Sequence, residues 1–192
     1  MTIATRITIA RFFFVPPVVV AVCGPVWWPG AAARVRIAAI AVFALAAATD
    51  FLDGFLARRL GQETRLGAAL DPLADKLLLG AAIWAIWACR GAYGPVPVWY
   101  PVIVTLNDVV LGGGFLLVRH RIDPDRLRAM VWGKAASALQ IVVVVWLLVR
   151  APQALVPIVV AAALTAASGT AYVVRALRLM NRTALRARDS QA

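Results

Sequence analysis

The stretch Ala48-Thr-Asp-Phe-Leu-Asp-Gly-Phe-Leu-Ala-Arg58, with Gly67-Ala-Ala-Leu-Asp-Pro-Leu-Ala-Asp75 shortly after it, sets four aspartates, Asp50, Asp53, Asp71 and Asp75, inside otherwise apolar sequence. A carboxylate at membrane depth costs about 3 kcal/mol on insertion scales, so four of them near one another require a cation. They read as a metal site. On helices, the three-residue spacing of Asp50 and Asp53 and the four-residue spacing of Asp71 and Asp75 each put a pair on one face. A short connection makes the two segments antiparallel neighbours, so both pairs lie at one end of the bundle and can converge. Bound Mg²⁺ or Mn²⁺ would keep them ionised against their mutual repulsion. Donor sets made only of oxygen suit such hard divalent ions.

The surroundings of these aspartates decide the fold class. The chain has 192 residues, of which 62% are hydrophobic and 15% charged, and its mean hydropathy is +0.83. That is too much apolar surface for one soluble core. Six apolar runs are each near the ~20 residues that cross a bilayer. They cover Phe12 to Trp28, Val35 to Ala57, Ala68 to Cys89, Trp99 to Val118, Val131 to Val149 and Ala154 to Val174. The expected fold is all-α and polytopic, with six transmembrane helices. The connections leave no room for a second domain, so residues 1–192 read as one membrane domain. Residues 1–11, with Arg6 and Arg11 among Ile and Thr, read as a juxtamembrane segment forming a short interfacial helix. Residues 179–192 read as a basic cytoplasmic tail. No small-residue cleavage pattern follows the first run, which is expected to be an uncleaved helix.

The net charge of +11 is explained by position rather than by nucleic acid. With six spans, both termini and the loops after the second and fourth spans share one side, which holds fifteen Lys and Arg against four on the other. The positive-inside rule places that side, and the aspartates with it, in the cytoplasm, giving a multi-pass protein of the inner (cytoplasmic) membrane. The same charge attracts anionic lipid headgroups. Trp27, Trp28, Trp99 and Trp132 stand near span ends and read as interfacial anchors. Cys23 and Cys89, far apart in sequence and without CxxC spacing, read as packing residues.

Gly54 and Gly67 cost helix stability and are worth keeping where a ligand approaches the backbone. Ala57 keeps the same face small, and Arg58 offers a planar cation to a phosphate oxygen. Pro72 is expected to kink or restart the helix beside Asp71.

Together these positions read Asp50-x2-Asp53-Gly54-x2-Ala57-Arg58-x8-Gly67-x3-Asp71-x3-Asp75. The pattern resembles, without a departure, the signature of the CDP-alcohol phosphotransferase (phosphatidyltransferase) family, integral membrane enzymes of phospholipid synthesis. Thr8-Ile-Ala-Arg11 looks like that family's amino-terminal start. Asp71-Pro-Leu-Ala-Asp-Lys76 is similar to phosphatidylglycerophosphate synthases and to the cardiolipin synthases of the same family. The resemblance runs from about Thr8 to Arg178. It implies attack by an alcohol hydroxyl on the β-phosphorus of a CDP-linked lipid, usually CDP-diacylglycerol, with release of CMP. By the same resemblance Asp50, Asp53 and Asp71 would hold two divalent ions, Mg²⁺ or Mn²⁺. Asp75 would join the metal site and act as the catalytic base. Gly54, Ala57, Arg58 and Gly67 would shape the CDP pocket, and the enzyme would be a homodimer.

The signature leaves the acceptor open. Arg119, Arg121 and Lys134, near the cytoplasmic ends of the fourth and fifth spans, are candidates for a phosphate-bearing acceptor; each has a snorkelling cation as its alternative, which is an equal reading for Arg119 and Arg121 and the less favoured one for Lys134. Gly133-Lys134 resembles the family's Gly/Ser-Lys at this place. Asn107 departs from the Arg that commonly precedes the acid there. Asp108 is costly within a span and is expected to pair with Lys134 or Lys76, in an acceptor pocket or as a contact between helices. Glycerol 3-phosphate is favoured as acceptor, giving phosphatidylglycerophosphate. The alternative is phosphatidylglycerol, which would make the chain a cardiolipin synthase, and inositol phosphate comes third.

Other classes fit less well. A transporter or channel would favour midplane acids on broken, repeated helices, whereas these acids cluster at one end of adjacent helices. His120 is the single histidine, which excludes a His-based zinc site and paired His/Lys phospholipase motifs. There is no Gly-Lys-Ser/Thr phosphate loop.

Overall fold

A computed structural model describes the backbone of residues 3–59, 65–118 and 131–189, and the side chains of residues 13–49, 76–114 and 133–180. The described residues form helices and connecting turns, with no strand. In chain order they are α1 (Ile3–Trp27), a 3-10 turn (Pro29–Ala31), α2 (Ala32–Arg59), α3 (Arg65–Ala88), the single turn α4 (Arg90–Tyr93), α5 (Trp99–Val118), α6 (Val131–Leu148) and α7 (Leu155–Asp189). Each of the six apolar runs falls on one long helix. Two helical stretches, Pro29–Thr49 and Leu155–Met180, are long and apolar enough to cross a membrane among the described residues.

Two expectations change. Residues 3–11 are not a separate helix but the first turns of α1, which continues through Pro16, Pro17 and Pro25. Likewise α3 does not restart at Pro72 but runs unbroken from Arg65 to Ala88. A proline removes one backbone donor and crowds the carbonyl four residues back, yet neighbouring helices can supply the lost support in a membrane bundle. Helix α1 is held from outside, although the one hydrogen bond made to it is not to a carbonyl that a proline has freed. Its faces pack against both α2 and α3, and the Tyr93 hydroxyl donates to the Val22 carbonyl at 2.6 Å.

The turns follow local chemistry. Trp28 N–H donates to the Gly24 carbonyl at 2.9 Å as the chain leaves α1. A side chain at Gly24 would collide with Val35 of α2, so this glycine permits the close approach of the two helices. After α4, Gly94 takes φ +102°, a backbone state open to glycine at no steric cost. The prolines of Pro95-Val96-Pro97 then hold the chain extended into α5. Between α6 and α7, Arg150 and Gln153 adopt φ of 54° and 55°. The turn they make is stitched by the Trp146 indole N–H donating to the Pro152 carbonyl at 3.1 Å.

The bundle has two halves. One gathers α2 and α3 around α1; the other gathers α5 and α6 around α7; α3 joins them through contacts with α5 and α6. The core contains Val18, Val22, Phe43, Ile83, Ile86, Tyr100, Val104, Val143, Leu147 and Ile158. Gln140 on α6 donates to the Thr165 hydroxyl on α7 at 2.8 Å within this interior, a polar cross-link of the sort that joins helices in lipid. The outer surface is also apolar: Phe13 is 75% exposed, Ile37 67%, Val109 65% and Val156 62%. Apolar exposure on so many residues calls for an apolar medium or a partner.

The cysteines pack against the core as expected, and they also meet one another. Cys23, in the last turns of α1, and Cys89, immediately after α3, bring their sulfurs to 2.8 Å. The packing of α1 alongside α3, with their C-terminal ends together, aligns residues that sequence distance had separated.

Candidate active site

The last turns of α2 carry Asp50, Asp53, Gly54, Ala57 and Arg58, and the first turns of α3 carry Gly67, Asp71 and Asp75. The helical backbone turns the sequence spacings into positions about one turn apart on each helix. Both sets flank the connection at residues 60–64, so the two helices bring them toward the same end of the bundle. The side chains of these eight residues lie outside the described residues, as do Arg119 and Arg121. Among the described residues no group of three or more His, Cys, Asp or Glu side chains could hold a metal ion. The donor set of the quartet is nonetheless chemically apt. Four carboxylates supply hard oxygen ligands, the type that Mg²⁺ and Mn²⁺ take.

The described polar groups begin next to the quartet. Lys76 directly follows Asp75, and its ammonium forms an ion pair with the Asp108 carboxylate of α5. Of the two lysines open to Asp108 from sequence, Lys76 is therefore its partner. With side chains 27% and 18% exposed, the two charges are largely removed from solvent, where each justifies the other's presence. The pair ties α3 to α5 one residue beyond the proposed base. Asp108 thus joins two helices through Lys76.

Beside Asp108, the Asn107 carbonyl oxygen is buried without a hydrogen-bond partner. It fills the notch left by Gly169 of α7, where a Cβ would overlap it. Lys134, in the first turn of α6, is exposed. The neighbouring Gly133 approaches Ser168 of α7 closely enough that a Cβ would sit 3.4 Å from its hydroxyl oxygen. A shallow hollow on α7, lined by Ala167, Thr170, Ala171, Val174, Arg175 and Arg178, belongs to one helix and contains no carboxylate. It is not where the acidic chemistry lies.

Comparison with known proteins gives a consistent result. The sequence profile of the family described as CDP-alcohol phosphatidyltransferase matches residues 1–173. A relative from Mycobacterium tuberculosis named "Probable phosphatidylglycerophosphate synthase" is 31% identical over 182 residues, covering 92% of this chain and 82% of the relative. An Escherichia coli relative named "CDP-diacylglycerol--glycerol-3-phosphate 3-phosphatidyltransferase" is 33% identical over 149 residues, covering 77% of each chain. A Pseudomonas fluorescens relative of the same name is 46% identical over 83 residues, covering 43% of this chain and 40% of the relative.

Proposed function

This chain belongs to the CDP-alcohol phosphatidyltransferase family, and from that premise we propose that it transfers the phosphatidyl group of CDP-diacylglycerol to glycerol 3-phosphate. The products are phosphatidylglycerophosphate and CMP. The observation that carries this reading is the likeness along most of both chains to the relatives bearing those names. The uninterrupted acidic signature from Asp50 to Asp75 supports the chemistry.

In this mechanism Asp75 accepts the proton of the attacking hydroxyl. The freed oxygen bonds to the β-phosphorus as the bond to the CMP oxygen breaks. Asp50, Asp53 and Asp71, with Asp75, would hold two Mg²⁺ or Mn²⁺ ions. Such ions, when bound, neutralise charge on the attacking and leaving oxygens of an in-line displacement. Gly54, Ala57 and Gly67 leave room for the nucleotide against α2 and α3, while Arg58 pairs with a phosphate oxygen. Lys134, Arg119 and Arg121 attract the phosphate of the acceptor. The Lys76–Asp108 pair fixes α3 against α5, and thereby the helical position of Asp75.

The same proposal gives the protein its setting. Six membrane-crossing helices place the quartet at the cytoplasmic face of the inner membrane, with both termini in the cytoplasm and the enzyme a homodimer. The apolar exterior of the bundle supports embedding in lipid, and the bias of basic residues supports the orientation. Lipid tails then stay in the bilayer while the nucleotide stays in water.

The test is CMP release by purified protein given CDP-diacylglycerol and, separately, glycerol 3-phosphate, phosphatidylglycerol or inositol phosphate. Glycerol 3-phosphate should give the fastest release, with phosphatidylglycerophosphate as product. Preference for phosphatidylglycerol would make the chain a cardiolipin synthase, and no release with any acceptor would defeat the reading.

A further inference from the structure

We propose that Cys23 and Cys89 form a dithiol–disulfide site that reversibly bonds α1 to α3. Their sulfurs stand 2.8 Å apart, between the ~2.05 Å of a covalent S–S bond and ordinary contact between sulfur atoms. Both cysteines are free and partly exposed, so a small reagent can reach them. Cys23 lies in the last turns of α1, and Cys89 has left the helix, with φ −96° and ψ 25° just before α4. A residue at a helix end adjusts its backbone to the dihedral preference of a disulfide more readily than one inside a helix.

The surroundings already act as a clasp. The Tyr93 hydroxyl reaches across the same seam to the Val22 carbonyl at 2.6 Å, one residue from Cys23. Helix α1 has most to gain from a covalent tie, because Pro16, Pro17 and Pro25 each remove a backbone donor from it. The pair also stands apart from the acidic signature. Cys89 follows Asp75 by fourteen residues, roughly 20 Å along a helix axis.

The chemistry is thiol–disulfide exchange with a small oxidised disulfide as co-reactant. One cysteine thiolate attacks that disulfide, forming a mixed disulfide and releasing one small thiol. The second cysteine thiolate then attacks the cysteine sulfur of the mixed disulfide and releases the other small thiol. Two protein thiols and one external disulfide become one protein disulfide and two external thiols. The site is thus oxidised as the reagent is reduced. Neither step involves the aspartates, the metal or the nucleotide.

The full chain, purified in detergent, would be incubated with reduced or oxidised glutathione, alkylated, digested without reduction and read by peptide mass spectrometry. The oxidised sample should lose alkylation at both cysteines and yield a Cys23–Cys89 linked peptide within one chain, reversed by dithiothreitol. Its thermal midpoint should exceed that of the reduced sample. In Cys23→Ser the linked peptide and the shift in midpoint should both vanish. Full alkylation of both cysteines after oxidation, or links found only between chains, would overturn the proposal. No step of this experiment requires turnover, so its outcome is separate from that of the CMP-release assay.

Discussion

At the scale of single residues, Asp75 is the base of the proposed mechanism, while the adjacent Lys76 ties α3 to α5 through Asp108. Asp75→Asn should lower kcat on the order of 10²–10⁴-fold, the usual contribution of a positioned base, while leaving the protein folded and able to bind CDP-diacylglycerol. Steady-state CMP release beside a lipid-binding titration separates the two effects. Lys76→Met should instead destabilise the fold by about 3 kcal/mol, the low end for stranding a charge, since its partner Asp108 keeps some contact with solvent. Lys76→Met/Asp108→Leu should recover most of that loss in thermal unfolding, because both charges leave together. The four aspartates were legible in sequence because carboxylates in apolar runs are too costly to be incidental. The partner of Asp108 was not, because Lys76 and Lys134 both stood within plausible reach and only the crossing of α3 and α5 decides between them.

At the scale of elements, hydropathy located the six long helices, with bounds close except at the start of α1 and the end of α7, which run on through basic sequence at Ile3–Arg11 and Arg175–Asp189. The restart expected at Pro72 does not occur, because a proline's effect depends on neighbours that sequence spacing does not identify. Helix α1 absorbs three of them by lying against both α2 and α3. The cysteine pair was hidden for the same reason: it exists only because α1 and α3 run side by side. Two substitutions probe this packing. Tyr93→Phe should cost about 1 kcal/mol by deleting the hydrogen bond to the Val22 carbonyl; burial pushes the Tyr93 phenol above its ordinary pKa, which keeps the hydroxyl a donor. Gly24→Ala should cost more, on the order of 1–3 kcal/mol for overpacking, because the new methyl meets Val35 where α1 and α2 cross. Unfolding midpoints of the two variants, measured in one detergent, would rank them.

At the scale of the whole molecule, the bundle is apolar inside and outside, with Phe43, Tyr100 and Leu147 in its core and Phe13, Ile37, Val109 and Val156 on its surface, an arrangement suited to lipid. The fifteen-to-four distribution of basic residues is the ground on which the cytoplasmic orientation is proposed. The acceptor was less legible, since its candidate cations also satisfy the positive-inside rule. At this scale the account stands on α2 and α3 jointly holding divalent ions at one end of the bundle. EDTA should accordingly abolish CMP release, and Mg²⁺ or Mn²⁺ should restore it. The most direct measurement is Mn²⁺ binding to the purified protein with CDP-diacylglycerol present, read by electron paramagnetic resonance, in the native chain and in Asp50→Asn/Asp71→Asn. The native chain should bind two ions and the variant should lose them while remaining folded; equal Mn²⁺ binding by both would contradict the account.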